Sequence, residues 1–213
     1  MTGKYEIRIG KNLQSAWETF LKAPEIFIAL MLGQFALSFV LPRIPGLGLL
    51  IWVLVASFTI PSFVLVAEAI RRDGRAKFDC LRPLLQLAPQ LIAVFLLKSI
   101  LVGIGSILLF VPGVYLFTIW AFAEIIATVE KKTFWESMES SRLMVRGNWF
   151  PVFGLVAVAL IIVFSGVMLL GVGMLVSVPM GTLLVHAAYR DIRAQTGMIS
   201  EREPEIIDAE IVT

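Results

Sequence analysis

Apolar residues run along this chain in three long blocks, each interrupted near its middle by proline or glycine. Residues 26–67 carry a single charge, Arg43, beside Pro42 and Pro45. Residues 83–129 carry only Lys98 and Glu124, with Val111-Pro112-Gly113 between them. Residues 147–189 carry no formal charge, and Gly171-Val172-Gly173 falls near their middle. As continuous helix such blocks would reach roughly 63–70 Å, about twice a ~30 Å hydrocarbon core. Each block therefore predicts a helical hairpin, turned near 42–47, 111–113 and 171–173. The expected fold is all-α and membrane-integral, with six transmembrane helices in three hairpins.

The segments between blocks have a different pattern. Ile9, Leu13, Trp17, Phe20 and Leu21 recur at helical spacing, with Lys11, Gln14, Glu18 and Lys22 on the other side. Phe78, Leu81, Leu84, Leu85 and Ala88 do the same beside Lys77, Asp79 and Arg82. Phe134, Trp135, Met138 and Val145 alternate with Glu136, Glu139, Arg142 and Arg146. Thr133 and Glu136 fit a capping box that starts the third segment, and Gly147-Asn148 ends it. These spacings predict an amphipathic interfacial helix before each hairpin, near 9–22, 76–88 and 133–146. Trp17, Trp135 and Trp149 are the expected interfacial anchors.

The chain accordingly divides into an N-terminal arm with its amphipathic helix (1–22), a six-helix membrane domain (23–193) and an acidic tail (194–213). Pro61 to Asp73 (PSFVLVAEAIRRD) aligns without a gap to Pro179 to Asp191 (PMGTLLVHAAYRD), with Arg72/Arg190 and Asp73/Asp191 coinciding. This suggests an internal repeat of one unit: interfacial helix, hairpin, charged exit.

Composition sharpens the class. The chain is 58% hydrophobic and 16% charged, against about 45–50% and about 25% for soluble domains. Sixteen of the eighteen Lys and Arg residues lie in the N-terminal arm, the two connectors and the C-terminal segment. The positive-inside rule then puts both termini and both connectors in the cytoplasm. The expected location is the bacterial inner membrane, multi-pass. Residues 1–21 lack an early apolar run with a cleavage site, so a cleaved signal peptide is not expected. The lone Cys80 offers no internal disulfide. Thr196 to Thr213 holds five acids against one Arg and reads as disordered, with 206–212 as a possible docking motif for a protein partner.

Residues 107–154 carry a resemblance. The run Ile107-Leu108-Leu109-Phe110-Val111-Pro112-Gly113-Val114-Tyr115-Leu116 is followed by Trp120, Thr128-Val129-Glu130, Glu136-Ser137, Ser140-Ser141-Arg142 and Gly147-Asn148-Trp149-Phe150. This resembles the bacterial polytopic family that includes the membrane domain of glycerophosphoryl diester phosphodiesterases and related uncharacterised proteins. Tyr189-Arg190-Asp191-Ile192-Arg193 is similar to that family's helix exit. The resemblance implies topology; the soluble catalytic domain of fused members has no counterpart here, so no phosphodiesterase activity is carried over.

Lys98 and Glu124 are the sharpest candidates for chemistry. A hairpin turning near 111–112 brings them to almost the same depth, and an ionisable residue within a span needs a partner or a purpose. They are expected to be neighbours, either as an ion, proton or headgroup site or as a structural pair. Glu68 and His186 occupy equivalent repeat positions near the ends of their spans. Gly173, Ser177 and Gly181, and likewise Ser99 and Gly103, recur every four residues, as close helix packing requires. No phosphate loop, paired metal-ligand motif or catalytic triad stands out, so no cofactor or metal is expected. Basic clusters at span ends point to anionic lipid headgroups rather than nucleic acid.

Three functions follow in order. The first is a non-enzymatic inner-membrane protein organising lipids or partner proteins at the cytoplasmic face. The second is a small transporter or channel using Lys98 and Glu124. The third is a membrane-embedded enzyme acting on lipid. Oligomeric state is not set by the sequence.

Overall fold

A computed structural model describes residues 5–40, 48–168 and 172–196. Among them the chain is all-helical, with no strand. The helices are α1 (Ile9–Lys22), α2 (Pro24–Val40), α3 (Gly48–Asp73), α4 (Pro83–Leu108), α5 (Phe110–Ile119), α6 (Ala123–Val129), α7 (Phe134–Val145), α8 (Trp149–Met168) and α9 (Met174–Gln195). A 3-10 turn, Phe78–Leu81, precedes α4.

Four stretches are long and apolar enough to cross a membrane: Trp52–Asp73, Phe78–Leu108, Phe110–Val129 and Trp149–Met168. A fifth appears if Ile9–Lys22 and Pro24–Ser38, bent by 86° at Ala23, count as one broken span. The expected sixth, α9, falls short because its second half carries His186, Tyr189, Arg190, Asp191 and Arg193. Its position explains why it tolerates them. α9 packs against α1, α2, α3 and α8, and Leu183, Leu184, Ala188, Tyr189 and Ile192 are all buried. A helix sheathed by protein need not be apolar all round. The outermost spans show the opposite pattern. Ile100, Ile104 and Ile107 on α4, and Ile161 and Phe164 on α8, are exposed, as suits side chains facing hydrocarbon.

The main core gathers around α9, against α1, α2, α3, α6 and α8. Phe20 stacks on Phe27, and Phe27 meets Phe63 at 6.0 Å. A smaller cluster joins α4, α6 and α7 through Leu91, Val94, Ala123, Ala127 and Met138.

Two predicted elements differ in the structure. The segment near 76–88 is not a separate interfacial helix. Only the 3-10 turn forms, and 83–88 is already the start of α4, which continues through Pro89. Pro89 forfeits one backbone hydrogen bond without ending the helix, whereas Pro83 stands at the helix start, where the missing N–H has no intrahelical role. The turn of the middle block lies at Leu109, not at 111–113. Pro112 falls in the first turn of α5, where proline is harmless. Gly113 lies against α4, where an added Cβ would sit 2.7 Å from the Ser106 Cα. The tip expected at 42–47 lies outside the described residues, as do Gly171 and residues 197–213.

α7 forms as its spacing predicts. The Thr133 hydroxyl accepts from the Glu136 N–H while the Glu136 carboxylate accepts from the Thr133 N–H. That hydroxyl, which also donates to the Glu136 carboxylate, holds the carboxyl below its usual range. Gly147 follows the helix at φ 89, a conformation glycine adopts without strain. The inward face is rotated from the apolar stripe, however. Ser137, Met138, Ser141 and Val145 are buried, while Phe134 and Trp135 are exposed. On α1 the buried stripe is Asn12, Ala16 and Phe20, which leaves Trp17 and Leu21 facing out.

The packing glycines divide likewise. At Gly166 an added Cβ would lie 2.8 Å from the Gly173 carbonyl carbon, and at Gly181 the same distance from Val163 Cγ2. Ser177 Oγ donates to the Val163 carbonyl at 3.3 Å. Gly173, Ser177 and Gly181 thus serve the α8–α9 contact within the chain. Ser99 is exposed and Gly103 meets nothing within 4 Å. The α4 glycine that approaches α5 is Gly105, two residues round the helix from Gly103.

Candidate functional site

Lys98 and Glu124 are neighbours. Lys98 Nζ lies 3.4 Å from Glu124 Oε1, and the residues are 8% and 5% exposed. Lys98 Nζ also sits 5.4 Å from the centre of the Phe117 ring. The second carboxylate oxygen, Oε2, is buried with no hydrogen-bond partner.

The pair adjoins a break in the third of these apolar stretches, Phe110–Val129. α5 ends at Ile119, a turn covers Trp120–Phe122, and Glu124 stands in the first turn of α6. Such a break leaves backbone groups without helical partners, which is costly away from water. Ser141 of α7 supplies them. Its hydroxyl donates to the Ile119 carbonyl at 2.8 Å and accepts from the Phe122 N–H at 3.2 Å. The serine is fully buried.

A second, larger set of charges gathers where α1 begins and where α3, α6 and α9 end. Glu68 on α3 meets His186 Nε2 at 2.9 Å, Arg190 at 3.1 Å and Arg71 at 2.8 Å. Positions 68 and 186, equivalent in the local sequence alignment, therefore face each other across the α3–α9 contact. Glu130, after α6, accepts from the Tyr189 hydroxyl at 2.6 Å and pairs with Arg193 and Lys132. Asp191 pairs with Arg8 at 2.7 Å. Tyr5 donates to the Met144 carbonyl at 2.7 Å, and burial pushes its phenol up to about 12. Among the described residues no three His, Cys, Asp or Glu side chains converge as metal ligands would.

No protein-family model, curated protein or solved structure matches the chain.

Two cavities open at this charged end. One, of about 640 Å³, lies between the end of α3, the 3-10 turn and the end of α6. The other, of about 260 Å³, lies between α1, α3 and α9 and reaches His186 and Arg190. Neither touches Lys98 or Glu124.

The tryptophans separate by environment. Trp17 is 47% and Trp135 64% exposed. Trp149 instead stacks on Tyr115 and Phe153 within the bundle. Ser141, Glu130 and Asp191, which the sequence reading names only within the resemblance or the repeat, are not among its site candidates. Glu130 had a faint signal: an acid directly after an apolar run and before two lysines. Ser141 had only its place on the same helical face as Ser137 and Met138.

Proposed function

We propose that this is a non-enzymatic, multi-pass protein of the bacterial inner membrane that organises lipids or partner proteins at the cytoplasmic face. The observation that carries the reading is the division of the charges. Most of those at one end are exposed or border open cavities, while the two inside the bundle, Lys98 and Glu124, are consumed by one another. A path for ions or solutes would instead keep its ionisable groups in contact with water. The charged end is the cytoplasmic end because the basic connectors lie there. In this reading the six spans form three hairpins, with α2 and α9 as the first and last. α1 and α7 lie at the headgroup level, and Trp17 and Trp135 anchor them. The meeting of Glu68 with His186 supports an internal repeat, since a pseudo-two-fold relation between α3 and α9 brings equivalent positions together. The resemblance of residues 107–154 to the membrane domain of glycerophosphoryl diester phosphodiesterases agrees with this topology and adds no activity.

Extraction of the full chain in native lipid, followed by mass spectrometry of what stays bound, tests the reading. Retained anionic lipid or one stoichiometric protein supports it. Ion or solute flux in proteoliposomes that disappears in Lys98→Ala and Glu124→Ala would replace it with a transporter.

A further inference from the structure

The 640 Å³ cavity has a chemistry of its own. Six bases line it: Arg71, Arg72, Arg75, Lys77, Arg82 and Lys131. Only three acids do so, and each is tied locally to an arginine: Glu68 to Arg71, Asp73 to Arg72 and Asp79 to Arg82. The bases outnumber the acids along the wall, and Arg75 and Lys77 join no ion pair among the described residues. A cavity of this sign draws an anion. The guanidinium forks suit a group with several acceptor oxygens on one centre, as a phosphate offers.

The remaining wall decides what carries that phosphate. Leu65, Ala69, Pro83 and Val129 give it an apolar side. Pro83 and Gln86 at the start of α4 line the cavity, and α4 is the least buried of the spans, with nearby Phe78 exposed and Leu85 82% exposed. A soluble phosphate has no use for such a side. A lipid does: its phosphate meets the bases and its acyl chains pass down the outer face of α4. Basic pockets beside spans on the positively charged side recognise lipid headgroups in this way. We infer that this cavity is a binding site for the phosphate group of an anionic membrane phospholipid. The inference rests on the lipid-organising reading above and assigns it a place.

The test uses the full-length protein, stripped of lipid in detergent. It is titrated with phosphatidylglycerol, with zwitterionic phosphatidylcholine and with inorganic phosphate, and bound species are counted by native mass spectrometry. Two double variants are compared. Arg75→Gln/Lys77→Gln removes two exposed charges from the cavity, and Lys22→Gln/Arg146→Gln removes two exposed charges elsewhere at the same end. Thermal unfolding verifies that both fold. The expected result is that wild type prefers phosphatidylglycerol and the cavity variant binds it about tenfold more weakly or worse. The control pair changes it less than about twofold. Equal weakening in both variants, or none in either, overturns the cavity while leaving a lipid-organising protein. Displacement of the lipid by millimolar inorganic phosphate overturns the lipid as the source of the phosphate. Failure of the wild type to retain any anionic lipid overturns both this site and the lipid part of the wider reading.

Discussion

Removing Lys98 and Glu124 one at a time and then together separates a structural pair from a working one. At 3.4 Å two unit charges attract by about 5 kcal/mol at an effective dielectric of 20. Burial costs each ion several kcal/mol in lost hydration, so the pair as a whole contributes little. Taking one partner away leaves the other's desolvation without compensation, a loss of about 3–5 kcal/mol. The two singles are not equivalent. Lys98→Met strands a carboxylate whose Oε2 already has no partner, so the full loss is expected. Glu124→Gln leaves an amide oxygen to accept from Lys98 and the Phe117 ring beneath the ammonium. A desolvated cation over a ring is worth about 2 kcal/mol, and the loss should shrink by about that much. The double variant, Lys98→Met/Glu124→Gln, should return to within about 1 kcal/mol of wild type. The assay is reversible unfolding in mixed micelles followed by tryptophan fluorescence, read as a double-mutant cycle. A double variant as unstable as Lys98→Met, or a coupling below about 0.5 kcal/mol, would refute the account.

Three further outcomes follow from particular contacts. Ser141→Ala orphans the Ile119 carbonyl and the Phe122 N–H and should cost about 2–3 kcal/mol, whereas Ser140→Ala should stay within about 0.5 kcal/mol; equal effects in the same unfolding assay would refute the role of Ser141. Gly166→Val forces side chain into the α8–α9 contact and should destabilise by about 1–3 kcal/mol, while Gly33→Ala, with nothing within 4 Å, should be neutral or better; the midpoints of thermal unfolding decide. Burial raises the Tyr5 phenol to about 12 from about 10 in the unfolded chain, so its share of stability is complete below pH ~10 and is lost as pH climbs toward 12. An alkaline melting series should therefore fall more steeply for wild type than for Tyr5→Phe, and parallel curves would count against it.

Periodicity made the helical class and most of the long helices legible, because a run without charge has few other uses. The capping residues Thr133, Glu136 and Gly147 fixed α7 within one residue at each end. Their hydrogen bonds are local, so sequence spacing suffices to find them. Pro89 misled because proline ends helices in isolation, yet α4 bears one missing hydrogen bond within a longer run. Gly103 misled for another reason: a four-residue repeat marks a face but not what lies opposite, and on α4 the close approach is one face over, at Gly105. Lys98 and Glu124 could be paired from depth alone, since each lay near the middle of its half of one block. The ties of Glu130 and Asp191 to α9 and α1 join residues 59 and 183 positions apart. They depend on how α9 is sheathed, which no local pattern carries.

The place of α9 has a consequence for how the chain is made. Among the described helices it is the last to be made, yet it supplies partners of Glu68, Glu130 and Arg8 and the centre of the main core. Until α9 is made, Glu68 has only its local tie to Arg71 and Glu130 its tie to Lys132, and the core is incomplete, so the nascent protein stays open to quality-control proteases. Truncation just before Met174 should therefore shorten the cellular half-life sharply in a pulse-chase experiment. Synthesis of α9 and closure of the bundle are, on this arrangement, almost the same event.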